Sequence, residues 1–438
     1  MKKRSPLVLP IIIAIIIGLA GGLFIANHQS QIPLLNKLFQ QEQEPANKYL
    51  GFLQEVREVI IENYWDTINE PQFVTLHVAA IENLTAQPLG GQIQTYKDLD
   101  NKILELLDQY PDEEIKEEFA VQLADLVLAN LEPFGRSRLY SQQLEQELVE
   151  RVSNIDPEAD HYAALEVDPE ASQEEIAQAY EQQAQALVDD ESPEAQERLA
   201  QIEAAHQTLA DETTRSRYDE AGVNPTMQWH LLTPQIFYLR IKQFSPTTVQ
   251  ELAEVTEKVD DRGEELDTLI LDLRGNIGGA IDGLPYFLGP FIGNNQYAYQ
   301  FIQQGKVSDF KTRTGWLPSL VRYKKVVVLI DENTQSTGEV MASVIKKYNV
   351  GVLVGTTTMG WGTIERVFPL ERQISDSEEY SIFLVHHLTL REDGTPIEGS
   401  GVEPLISVQD PNWQTQLNRY FNDSELISQV AQLFTSEQ

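Results

Sequence analysis

The sequence predicts a chain with a helical N-terminal half and an α/β core, preceded by one apolar segment. Three observations predict this. The opening "MKKRSPLVLPIIIAIIIGLAGGLFIAN" places Lys2, Lys3 and Arg4 before an uncharged apolar run from Leu7 to Ala26. From about 48 to 155, apolar residues recur at helical spacing, as at Phe52, Val56, Val59 and Ile60. Beyond Trp229 the runs "IFYLRIKQF", "LDTLILDLRG", "KKVVVLIDENT" and "VGVLVGTTT" are β-rich, with helical "GEVMASVIKKYN" between the last two. That strand, helix, strand order with apolar strands argues for a crossover in an α/β core.

About 20 apolar residues suffice to span a bilayer. Residues 1–27 are therefore expected to be a transmembrane helix whose positive flank stays in the cytoplasm, leaving the bulk of the chain outside it. Gly18 and Ala20 leave open cleavage as a signal peptide, which would release an exported soluble form. Residues 28–47 are polar and Gln-rich and read as a linker.

The 438 residues carry a net charge of −36 with a pI near 4.4. Such a surface repels phosphate backbones, so no nucleic-acid partner is expected. The chain has no cysteine, which excludes disulfides, thiolate metal sites and a thiol nucleophile. His77, His161, His206 and His230 show no ligand spacing, so neither a metal nor another cofactor is expected.

Residues 48–156 read as a helical region packed through Leu-rich stripes. In 157–223, Ser172 and Glu175 form a capping box, and Pro193 suits the first turn of a further helix. Tyr162, Leu165, Val167, Ala171, Ile176, Ala179, Tyr180, Ala205, Leu209, Asp211, Arg215, Tyr218 and Asp219 are the signposts of this all-α stretch, which resembles a J-domain. That family stimulates heat-shock ATPase chaperones through a His-Pro-Asp tripeptide and a basic second helix. Here Val188, Asp189 and Asp190 stand at the tripeptide, and "SQEEIAQAYEQQAQALV" has three glutamates and no cation. Like charges oppose docking, so a heat-shock chaperone is not the expected partner.

Residues 226–410 carry "FYLRIKQFSPTTVQELAEVTEKV", "LILDLRGNIGG", "VVVLIDENTQSTGEVMASVIKKY", "VLVGTTTMGWGTIERV" and "LREDGTPIEGSGVEPLISV" in that order. This region resembles the tail-specific, or C-terminal processing, family of serine peptidases, and 411–438 reads as a closing helix. The family usually inserts a PDZ domain where this chain has the J-like module. The resemblance puts the nucleophile at Ser336, with an oxyanion hole from the N–H groups of Thr337 and of Gly278 or Gly279. It puts the lysine base at Trp361 and its assisting glutamine at Glu365.

A serine hydroxyl needs a neighbouring base, and an indole N–H donates but cannot accept a proton. The family dyad is thus broken at Trp361. Lys346 lies about 15 Å along the helix from Ser336 and is too far to replace it. Glu365 reads as a hydrogen-bond acceptor or a surface charge. His386 and His387 should alternate on a strand, one toward the core and one away.

The expected function is a membrane-tethered pseudo-peptidase that binds proteins or peptides as a scaffold or assembly factor. The alternatives are an active serine endopeptidase using Ser336 with another base, and a structural subunit of an envelope complex.

Overall fold

Helix-forming sequence is stopped and started along the N-terminal half by recognisable caps. In the computed structural model, which describes residues 47–435 apart from 189, 191, 261–265 and 392, the described residues begin with four helices: α1 (Lys48–Asn63), α2 (Glu70–Thr85), α3 (Tyr96–Leu107) and α4 (Glu113–Ala129). Asn69 with Gln72 and Thr95 with Asp98 close capping boxes on α2 and α3, satisfying N–H groups that a helix start leaves orphaned. The expected anchor, nearly all of the linker and Asp189 lie outside the described residues. Among the described residues no helix is long and apolar enough to cross a membrane.

The region 48–156 departs from the expected all-helical reading. It contains strand β1 (Arg138–Ser141) before helix α5 (Gln142–Ser153). β1 finds its partner only across the chain, pairing antiparallel with Tyr380–Phe383. Only four residues long, it carries no periodic signal of its own.

The J-like module supplies α6 (His161–Leu165), α7 (Gln173–Leu187), α8 (Pro193–Leu209) and α9 (Glu212–Ala221). Ser172 and Glu175 make the expected capping box on α7, and Pro193 opens α8. Tyr162, Leu165, Ala171, Ile176, Ile202, Ala205 and Leu209 form a core of their own. Arg215 braces it, donating to the carbonyls of Ala171 and Pro169 and to Tyr162 Oη.

The core proper runs β2 (Met227–Thr233), β3 (Ile236–Ile241), α10 (Thr248–Asp260), β4 (Thr268–Asp272), α11 (Leu284–Ile292), β5 (Tyr297–Gln303), β6 (Lys306–Lys311), α12 (Pro318–Val321), β7 (Lys325–Ile330), α13 (Thr337–Lys347), β8 (Val352–Gly355), β9 (Thr363–Pro369), β10 (Tyr380–Leu390) and β11 (Ile406–Ser407). One sheet has the order β11-β8-β7-β4-β3-β2. Its strands from β3 through β11 pair in parallel, as the apolar runs and the crossover helices α10 and α13 require. A second sheet, β1-β10-β5-β6 with β9 also on β10, is antiparallel. Its inner face shares one apolar cluster with α1–α4, so the helical region and this sheet form a single core.

The C-terminus also differs from the single expected helix. It forms α14 (Trp413–Phe421) and α15 (Ser424–Thr435), because Asn422 turns left-handed with φ 47° and ends the first.

Candidate functional site

Strand β7 delivers the chain to Asp331, and a turn carries it to Ser336 at the start of α13. Ser336 has φ 49° and ψ −119°, a conformation that costs a non-glycine residue about 1–3 kcal/mol and is kept only where surroundings impose it. The surroundings are the turn after β4. Asp331 Oδ1 accepts the Gly275 N–H at 2.9 Å, and the Asn276 carbonyl accepts the Gln335 N–H at 2.8 Å. Gly278, at φ 83°, packs so closely over the serine that a Cβ there would lie 2.6 Å from Ser336 Cβ.

The structure divides the two candidate oxyanion glycines. The Gly278 N–H is occupied by Asn276 Oδ1 at 2.9 Å, while its carbonyl accepts from Phe244. Among the described residues, the N–H groups of Gly279 and Thr337 have no acceptor. Thr337 also donates its hydroxyl to the Gly279 carbonyl at 2.9 Å, which ties the two donors together. Gly279 with Thr337 is therefore the pair this geometry offers.

Glu339 is the centre of the arrangement. Fully buried, its carboxylate accepts the Ser336 N–H at 3.0 Å, the Thr358 hydroxyl at 2.6 Å, and the Gly360 and Trp361 N–H groups at 2.7 Å each. One side chain thus binds the nucleophile turn to the loop that carries the base position. Burial pushes its carboxyl above the usual range, outweighing those four donors.

Trp361 stands where the resemblance requires a lysine. The indole Nε1 donates to Glu365 Oε1 at 3.4 Å, and the guanidinium of Arg136 sits 3.4 Å above the ring centroid. Arg136 also pairs with Glu398 at 3.4 Å, and Glu398 accepts the Gly362 N–H at 2.7 Å. Arg136 Nη1 is buried without an acceptor among the described residues. The sequence reading missed Arg136, which arrives from the loop before β1; no local pattern marks a contact between residues so far apart in the chain. A guanidinium stays protonated in proteins, so it cannot replace the missing amine.

Glu365 lies on β9, where Oε1 also accepts the Thr363 hydroxyl at 2.5 Å. Burial lifts its carboxyl above the usual range, against the Thr363 and Trp361 donors and the nearby Arg136 charge. No hydrogen bond joins it to Ser336 among the described residues.

His386 and His387 do not alternate as expected. The β9–β10 register slips between Val385 and His387, and the bulge brings both rings together with Nδ1 atoms 2.8 Å apart and centroids 4.2 Å apart. Burial lowers both, His386 to about 3 and His387 to about 4. The paired imidazoles form a packing element, with Phe368 stacked on His386 and Phe301 tilted against His387.

A serine on a strained turn between a parallel strand and a helix, faced by two free backbone donors, defines an α/β serine-peptidase core. Residues 235–408 match the family model of Peptidase family S41. Residues 160–219 match the DnaJ domain. The chain is 27% identical over 176 residues to carboxy-terminal processing protease CtpB of Bacillus subtilis, covering 40% of this chain and 34% of that protein. It is likewise 27% identical over 179 residues to a carboxy-terminal-processing protease of Bartonella bacilliformis, covering 40% of this chain and 39% of that one. The matched stretch is thus little more than a third of either relative. The solved photosystem II D1 C-terminal processing protease superposes on 84% of this chain and 94% of its own with a TM-score of 0.46 at 12% identity.

Proposed function

We propose that this chain is a membrane-tethered pseudo-peptidase of the tail-specific type, a peptide- or protein-binding scaffold held outside the cytoplasm. The observation that carries this reading is the Arg136–Trp361 stack at the base position. It fills the base position with an indole and a guanidinium, neither of which accepts a proton. Residual acceleration from an oxyanion hole and binding alone is about 10³–10⁴-fold over water in serine proteases that lose a triad member, too little for peptide turnover. A cleft that binds peptides as added strands does not need the base. The apolar run behind Lys2, Lys3 and Arg4 supports the membrane tether.

The test is digestion of an unfolded protein by the full chain, beside Ser336→Ala, Trp361→Lys and Trp361→Lys/Arg136→Ala. The unmodified chain should not cleave. Arg136 beside a lysine amine lowers its pKa toward the neutral, basic form and offsets Glu365 and Glu398, so Trp361→Lys with Arg136 kept should recover more cleavage than the double variant. Cleavage by the unmodified chain that Ser336→Ala abolishes would overturn the reading and favour the active-peptidase alternative. The strained backbone retained at Ser336 is the observation on that side.

A further inference from the structure

Entry into and exit from the J-like module run side by side. Ile155 and Val223 form an antiparallel bridge, and the Asn154 carbonyl accepts the Asn224 N–H at 2.9 Å. The Asn154 side chain donates to the carbonyls of Asn224 at 2.9 Å and Pro225 at 3.2 Å. His161 closes this neck with a 2.6 Å bond between its Nε2 and Asn224 Oδ1. The module is therefore carried on a narrow two-strand stalk.

Beyond the stalk, the contacts with the α/β core are polar. Arg217 pairs with Glu254 and Lys258 with Asp211, both core partners lying on α10. Lys242 Nζ donates to Gln207 Oε1 at 2.8 Å. The module's apolar cluster contains no residue of the core, and the core's contains none of the module. A seam with ion pairs and no shared apolar cluster is the kind that permits relative motion.

The third contact reaches the site. The Lys242 carbonyl accepts the Ile277 N–H at 3.2 Å, and Phe244 bridges Gly279 two residues on, with its N–H on the Gly278 carbonyl at 2.7 Å. The segment 242–244 thus grips the module with one side chain and the 277–279 turn with its backbone. Between those anchors, Gln243 Nε2 donates to the Arg151 carbonyl of α5 at 3.1 Å, beside a cavity of about 310 Å³ that Asn154, Ile155 and Asp156 also line.

We propose that the J-like module is a hinged arm, latched to the core by Arg217–Glu254 and Lys258–Asp211, whose position is coupled through Lys242 to the turn that supplies the Gly279 donor. This goes beyond the binding function proposed above and does not depend on it. An arm closed on its latch holds the donor turn against Ser336; an arm released from the latch loosens it.

Because the chain has no native cysteine, full-length protein carrying Gln178→Cys on α7 and Gln432→Cys on α15 can be spin-labelled, and the arm-to-core distance read by double electron–electron resonance. In parallel, amide hydrogen exchange is followed in peptides spanning 275–280 and 48–129. The latched chain should give one narrow distance distribution. Arg217→Ala/Lys258→Ala, and separately the unsubstituted latch in roughly 1 M salt, where the screening length is about 3 Å, should broaden it. Exchange at 275–280 should rise several-fold while 48–129 stays unchanged. A distribution that neither treatment alters would overturn the hinge. Broadening without faster exchange at 275–280 would overturn the coupling.

Discussion

A single carboxylate with four donors on it is a costly thing to bury and a costly thing to lose. Glu339 spends its acceptors on one N–H of the nucleophile turn and three donors of the 358–361 loop. In Glu339→Gln the amide keeps one acceptor oxygen and turns an NH₂ toward N–H groups, leaving donors facing donors. The expected cost is about 2–4 kcal/mol, read as a lower urea midpoint. The same residue has a pH signature. Its folded-state carboxyl is held above the ordinary value of 4.5, so its proton is retained more tightly folded than unfolded, and its contribution falls as pH rises through the folded value. The histidine pair works in the opposite direction. Folded His386 and His387 stay neutral down to about 3 and about 4, whereas unfolded they protonate near 6.5. Their contribution is complete above about pH 6.5 and is lost as pH falls from there toward 4 and below, by on the order of 3 kcal/mol for one of the pair. His387→Gln should flatten the stability profile between pH 6.5 and 4, measured as urea midpoint against pH. An unchanged profile would mean that the rings do not titrate with unfolding.

At the scale of elements, the parts that announced themselves are those whose signal is local. β3, β4, β7 and β8 are buried in a parallel sheet, so each appears as a near-continuous apolar run, broken in β3 by Arg240. The cap at Ser172 marks a helix start because the satisfying side chain lies within one turn, and Pro193 marks another because the first turn needs no N–H there. β1 was hidden because its strand character comes from β10, and the true histidine arrangement was hidden because a bulge is a property of two strands together. The site divides in the same way. Ser336, Trp361 and Glu365 follow from ordered motifs, and the structure brings the turn of Ser336 and the loop of Trp361 onto one carboxylate. The choice of Gly279 over Gly278 depends on which N–H Asn276 occupies, and the Arg136 stack on a loop distant in sequence. Neither leaves a trace in spacing.

For the molecule as a whole, the sharing of apolar clusters decides what can be removed. Helices α1–α4 bury Phe52, Ile60, Phe73, Leu99, Leu123 and Val127 in the same cluster as Ile382, Leu384 and Val385 of β10. Deleting 48–136 would expose that sheet face, an apolar patch of the kind that drives aggregation. The J-like module shares no such cluster, and its two ends are already bridged at Ile155 and Val223. Replacing 156–222 by a two-residue Asn-Gly turn should therefore leave the rest folded, since such a turn closes an antiparallel pair. Both deletions can be compared by soluble yield, near-ultraviolet circular dichroism and thermal unfolding. The module deletion should keep a cooperative transition and native aromatic signal, losing only the polar seam on α10 and at Lys242. The helical deletion should give insoluble or non-cooperative protein. If the module deletion instead abolished cooperative unfolding, the core would depend on the module through more than its polar seam, and a hinged arm would be the wrong description of it.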